Sequence, residues 1–141
     1  SYMTVEALHV VNYLDKNDIS CELIDLRTVA PIDWDTIYQS VKKTGRLLVL
    51  DTGATTGSIA GEIIARVAID LFDDILCAPQ RIALPDVPTP TSPALTKGFY
   101  PDAVTIATQI SKMLNVNVNC DELSDTTTPH DVPGDWFRGP F

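Results

Sequence analysis

Apolar positions along the chain follow two periods that alternate. Residues 4–16 repeat at helical spacing, with Ala7, Leu8, Val11 and Leu14 on one stripe and Thr4 placed to cap it. Ile19 to Leu26 is short and largely apolar, which predicts a strand. Asp33 is a plausible N-cap for a second helix that carries Ile37, Val41 and Trp34 on its apolar face. Lys42 and Lys43 sit near its end, where they complement the macrodipole, and Gly45 follows as the terminating residue. Leu47 to Leu50 is a continuous apolar run, the pattern of a strand covered on both faces. A helix over about 58–72 shows Ile59, Ile63, Val67 and Leu71 at helical spacing. Arg81 to Leu84 predicts another strand. Pro85, Pro88, Pro90 and Pro93 then impose an extended crossing, because proline fixes φ and removes a backbone donor. A last helix spans about 101–114, with Val104, Ala107, Ile110 and Leu114 turned inward.

Helices alternating with apolar strands predict an α/β domain of three layers, α/β/α, around a mostly parallel open sheet. Such layouts normally open with a strand, and Ser1, Tyr2 and Met3 read as the end of one. The expectation is a domain over 1–114 that lacks its first strand, cut from a longer protein. Residues 115–141 differ in composition. They hold five acidic residues and one Arg and end in Trp136, Phe137 and Phe141, which predicts an acidic arm whose aromatics dock or stay free.

Composition narrows the chemistry. The chain has 141 residues, 45% of them hydrophobic, enough for one domain with its own core. A net charge of -9 opposes nucleic-acid binding and favours a basic protein partner. No apolar run reaches the roughly 18 residues that a membrane-spanning helix needs. Cys21, Cys77 and Cys120 are far apart, as are His9 and His130, so neither a disulfide framework nor a local metal or catalytic cluster is indicated. Ser58 and Ser92 have no nearby His to activate them.

One loop stands out. Asp51 to Gly57 reads DTGATTG, after a strand and before a helix. Glycines there would let backbone N–H groups approach an anion at the helix N-terminus. The string matches neither phosphate-binding fingerprint, carries no Lys, and begins with an Asp that would repel phosphate. A structural turn or a subunit contact is the preferred reading. Asp51, Thr55, Thr56 and Gly57 are the candidate interface positions, joined by Asp86 and Pro88 from the proline-rich crossing. Asp25 and Asp33 flank Arg27, and they read as a strand-end residue and a helix cap rather than an acid–base pair.

Four blocks carry a resemblance. They are LIDLRTVAPID from Leu23 to Asp33, KKTGRLLVLD from Lys42 to Asp51, the helix from Gly57 to Arg66 with Gly61, Glu62 and Ile63 inside, and PDVPTPTSPAL from Pro85 to Leu95 followed by Tyr100 and Pro101. In this order and spacing, over about residues 1–114, the chain resembles the C-terminal domain of transketolase-like thiamine diphosphate enzymes. It looks most like the β subunit of the decarboxylase component of 2-oxo acid dehydrogenase complexes. The same domain type in transketolase, deoxyxylulose-phosphate synthase and 2-oxo acid:ferredoxin oxidoreductases is the alternative, and a free-standing α/β binding module is a third.

The resemblance implies oxidative decarboxylation of a 2-oxo acid in the full enzyme, on thiamine diphosphate with Mg. The cofactor supplies the carbanion chemistry. It also implies that no cofactor or catalytic residue maps onto this chain. The implied task is assembly: contacts with the α subunit, with a second β subunit in a homodimeric arrangement, and with the small binding module of the acyltransferase core. The implied location is the cytoplasm of a bacterium or the mitochondrial matrix.

Overall fold

A computed structural model describes residues 2–124. Its elements, in chain order, are α1 (Tyr2–Asp15), α2 (Trp34–Thr44), β1 (Leu48–Ala54), α3 (Ile59–Asp70), a 3-10 turn (Phe72–Asp74), β2 (Gln80–Leu84), a one-turn α4 (Pro93–Thr96), α5 (Ala103–Leu114) and a second 3-10 turn (Asp121–Leu123).

β1 and β2 pair in parallel, with Leu48 opposite Gln80, Val49 opposite Arg81 and Leu50 opposite Ile82. The register then breaks before Ala54 meets Leu84. Successive side chains on a strand point to opposite faces, and β1 uses both. Leu48, Leu50 and Ile82 join the core formed by Val10 and Leu14 of α1, Ala103, Ile106 and Ala107 of α5, and Leu123. Leu47 and Val49 turn the other way, onto Ile37 and Val41 of α2, Ile63 and Val67 of α3, and Leu71 just past its end. The result is the expected three-layer α/β/α arrangement around a parallel sheet. Fully burying one such Leu or Ile side chain is worth about 1.5–3 kcal/mol of transfer free energy.

Helix ends follow the sequence closely where a cap fixes them. Asp33 accepts the Thr36 N–H at 3.1 Å and the Thr36 hydroxyl at 2.6 Å, which starts α2. Gly45 stops it in the left-handed region at φ 67°, its N–H bonded to the Val41 carbonyl at 2.7 Å. The Gly45 carbonyl then accepts the Leu76 N–H at 2.8 Å. A Cβ at Gly45 would stand 2.6 Å from Leu76 Cγ, so both the φ and the close approach require glycine here.

The structure corrects several expectations. Ile19 to Leu26 forms no strand. Its apolar residues do pack, Ile19 and Cys21 on one core and Leu26 on the other, but the segment joins no ladder. A strand is defined by a paired neighbour as well as by apolar side chains, and only β1 and β2 pair among the described residues. Tyr2 and Met3 belong to the first turn of α1 rather than to a strand end, and Met3 is buried. Thr4, inside that helix, donates its hydroxyl to Asp25 Oδ1 at 3.1 Å instead of capping.

The buried stripe of α1 is Met3, Ala7, Val10 and Leu14, while Leu8 is 50% exposed. Both registers have helical spacing, and contact with α5 selects this one. In α5, Ile106 and Ser111 are buried, whereas Val104 and Ile110 pack at the margin. Ser111 satisfies its hydroxyl on the Ala107 carbonyl at 2.8 Å. Beyond α5, Val118, Cys120 and Leu123 continue into the core shared by α1 and α5. The expected docking of Trp136, Phe137 and Phe141 lies outside the described residues.

Candidate functional site

The loop after β1 sits at the carboxyl end of a parallel strand, where open α/β sheets present their functional groups. Asp51 organises it. Its Oδ1 accepts the Gly53 N–H at 2.8 Å, and its Oδ2 faces the Ala60 N–H in the first turn of α3 at 3.4 Å. The helix N-terminus that an anion would use is therefore occupied by this chain's own carboxylate.

Thr55 and Thr56 fasten the other half of the loop. The Thr55 N–H and hydroxyl both bond the Leu84 carbonyl, at 2.8 and 2.9 Å. The Thr56 N–H reaches Asp86 Oδ1 at 2.8 Å, and its hydroxyl reaches Asp86 Oδ2 at 2.6 Å. The Asp86 carboxyl is held below its ordinary value, first by the Thr56 hydroxyl, then by the Thr56 N–H, with the Arg81 charge adding to both. Gly57 turns the chain at φ 79° with no atom within 4 Å of a built Cβ. Left-handed backbone, not crowding, requires glycine there.

Five of the six candidate interface positions thus come together: Asp51, Thr55, Thr56, Gly57 and Asp86. Pro88 lies two residues further along the crossing and is exposed. Thr56, Gly57, Asp86 and Pro88 together present an exposed surface whose backbone is held from within.

These donors do not suit a thiamine diphosphate pyrophosphate. Asp51 already takes up the N–H groups of the turn and of the helix start, and Asp86 places a second negative charge alongside. Among the described residues, no three His, Cys, Asp or Glu side chains gather as a metal ion would require. Asp33 is engaged as a helix cap, and Asp25 pairs with Arg27 at 3.0 Å while accepting Thr4, so neither is posed for acid–base work.

Two further features escape local sequence reading. The Arg66 guanidinium of α3 stands 4.2 Å over the Trp34 ring of α2 and donates to the Tyr38 hydroxyl at 3.1 Å. That hydroxyl in turn donates to Asp70, which also pairs with Arg66 at 3.5 Å. The cluster ties α2 to α3 across their exposed sides.

Just beyond it, Ile69, Phe72 and Leu76 are 77%, 72% and 70% exposed, with Asp70, Asp73 and Asp74 interleaved. The signal was present in the α3 stripe. Ile69 and Phe72 fall off the Ile63–Val67–Leu71 face and so have no inward place.

The profile of the family described as "Transketolase, C-terminal domain" matches residues 1–106. The β subunit of acetoin:2,6-dichlorophenolindophenol oxidoreductase from Cupriavidus necator is 37% identical over 112 residues, which is 79% of this chain and 33% of that protein. The pyruvate dehydrogenase E1 component β subunit of Rickettsia bellii is 38% identical over 107 residues, 76% of this chain and 33% of that protein. That of Bacillus subtilis is 38% identical over 92 residues, 65% of this chain and 28% of that protein. The chain therefore spans about a third of the length of these relatives. Among solved structures, a split-gene transketolase described as an inactive β4 tetramer superposes with a TM-score of 0.67 at 20% identity, over 81% of this chain and 37% of that one. At that identity the likeness concerns the fold.

Proposed function

The chain belongs to the transketolase C-terminal domain family, and on that premise we propose that it is the C-terminal domain of the β subunit of a thiamine diphosphate-dependent 2-oxo acid dehydrogenase. Its task in that enzyme is assembly. Oxidative decarboxylation, the cofactor and its Mg belong to the rest of the protein and to an α subunit. The domain runs over 1–114 in this reading. The names of the relatives, bacterial and mitochondrial, favour the cytoplasm or the matrix. No helix among the described residues is long and apolar enough to cross a membrane.

The observation that carries this reading is the closed loop after β1. Asp51, Thr55, Thr56 and Asp86 spend their polar groups on the chain itself, which leaves a rigid, exposed surface and no reactive group. Rigid surfaces bind partners without a large ordering cost. We assign this surface, Gly57 and Pro88 included, to contacts with the α subunit and a second β subunit. The same closure disfavours the free-standing ligand-binding module, whose ligand would need those donors.

The exposed Ile69, Phe72 and Leu76 with their aspartates are a separate surface. Its chemistry fits a small partner with apolar contacts and a basic rim, as expected of the binding module of an acyltransferase core.

Asp86 tests the loop assignment. In the full protein, Asp86→Lys is expected to weaken α–β association at least about tenfold, through lost loop order and reversed charge. Asp86→Asn, which keeps an acceptor for Thr56, should stay within about threefold. Association is read by analytical ultracentrifugation. Unchanged assembly in Asp86→Lys removes this surface from the interface.

A further inference from the structure

Arg66 of α3 is half-exposed, yet its guanidinium is fixed from two sides. It stands 4.2 Å over the Trp34 ring. Its Nε donates to the Tyr38 hydroxyl at 3.1 Å and lies 3.5 Å from Asp70 Oδ2. The Tyr38 hydroxyl donates to that same oxygen, and the Trp34 and Tyr38 rings lean together at 6.1 Å. The two terminal nitrogens of Arg66 make no hydrogen bond or ion pair among the described residues. One edge of the guanidinium is thus held by its own chain, and the other is left open.

Arg66, Ile69 and Asp70 fall at i, i+3 and i+4, so they share one side of α3. Phe72, Asp73 and Asp74 follow in the 3-10 turn, and Leu76 comes two residues later. The exposed strip Ile69–Phe72–Leu76 therefore carries different charges at its two ends. Asp70 spends its charge on Arg66 and Tyr38. Asp73 and Asp74 form no ion pair among the described residues. One end offers an open guanidinium edge, and the other offers two unpaired carboxylates.

The parallel donors of a guanidinium match a carboxylate in two hydrogen bonds. The Trp34 ring and the contacts at Nε hold that edge in place before anything binds, which removes much of the ordering cost of a long side chain. A free anion gains little here, because the chain carries a net charge of -9 and Asp70, Asp73 and Asp74 stand nearby. A carboxylate on a protein already seated on Ile69 and Phe72 arrives at high effective concentration.

We propose, on the reading of this strip as the docking surface for the acyltransferase binding module, that Arg66 orients the docked module: its terminal nitrogens take an Asp or Glu side chain of the module, while Asp73 and Asp74 take the module's basic residues. The reversed pose would set like charges against each other at both ends, so the strip admits one orientation. Trp34 and Tyr38 act through Arg66, as positioning residues.

The test uses the full protein with its α partner and, as probe, the isolated binding module of the acyltransferase, followed by surface plasmon resonance. Arg66→Lys keeps the charge over Trp34 but has no fork. It should lower affinity about tenfold, mainly through faster dissociation, with the salt dependence of association unchanged. Each carboxylate of the module is then replaced by its amide. One replacement should weaken binding to the wild type by a similar factor and add nothing further in Arg66→Lys, the signature of a direct pair. That cycle compares partners within each variant, so a change in the stability of Arg66→Lys does not obscure it. Wild-type affinity in Arg66→Lys, or no module carboxylate coupled to Arg66, overturns the proposal. If Phe72→Ala still loses binding in that case, the surface assignment stands; if Phe72→Ala also binds normally, the surface assignment falls with it.

Discussion

Leu14→Ala should destabilise the domain by about 2–5 kcal/mol, the range for removing a large side chain from a core that cannot collapse around the hole. Leu14 is wholly buried against Val10, Ile106 and Ala107, and Leu123 closes the same cluster from beyond α5. Small domains have only about 5–15 kcal/mol in total, so this loss should move a denaturant midpoint far toward zero. Leu8→Ala is the control. Leu8 was a candidate for the inward stripe but is half exposed, and its truncation should change stability by less than about 0.5 kcal/mol. Equilibrium unfolding in urea distinguishes the two registers of α1. Comparable costs at Leu8 and Leu14 would mean that the helix is turned differently.

The second large effect concerns binding rather than stability. Phe72→Ala should leave the unfolding midpoint in place, because the ring is mostly exposed and contributes little to the core. In the full enzyme it should lower affinity for the acyltransferase binding module at least about tenfold, as loss of an aromatic anchor commonly does. Asp73→Lys and Asp74→Lys should act differently, mainly by slowing association and flattening its salt dependence, because rim charges steer more than they hold. Surface plasmon resonance at two ionic strengths separates these effects. Unchanged affinity in Phe72→Ala would assign that patch to another contact.

How much of this was readable from the chain depends on the distance over which each feature is decided. α2 is bounded by residues that carry their own reasons: Asp33 has a carboxylate to cap, and Gly45 has no Cβ to resist a left-handed turn. β1 declares itself by four apolar residues in a row, because both of its faces are covered. Asp51, Thr55, Thr56 and Gly57 are legible as one loop because their glycine–threonine string follows such a strand and precedes a helix.

Features that need a distant partner were hidden. Thr56 and Asp86 are thirty residues apart, and nothing local to either predicts their paired hydrogen bonds. Ile19 to Leu26 has a strand's composition, but a ladder is a property of two segments, and the sequence of one cannot supply it. The rotated stripes of α1 and α5 have the same origin: two faces of each helix are apolar enough, and the neighbour chooses.

Service in a thiamine diphosphate-dependent 2-oxo acid dehydrogenase is the function we propose for this domain. It is tested most directly by expressing the protein that contains this chain together with its α partner. Carbon dioxide release, coupled to reduction of an artificial acceptor, is then followed across a panel of 2-oxo acids with and without thiamine diphosphate and Mg. Turnover of at least one 2-oxo acid is expected, dependent on the cofactor and absent from the isolated domain. Ketol transfer between sugar phosphates in place of decarboxylation, or no cofactor-dependent turnover of any 2-oxo acid, would contradict it.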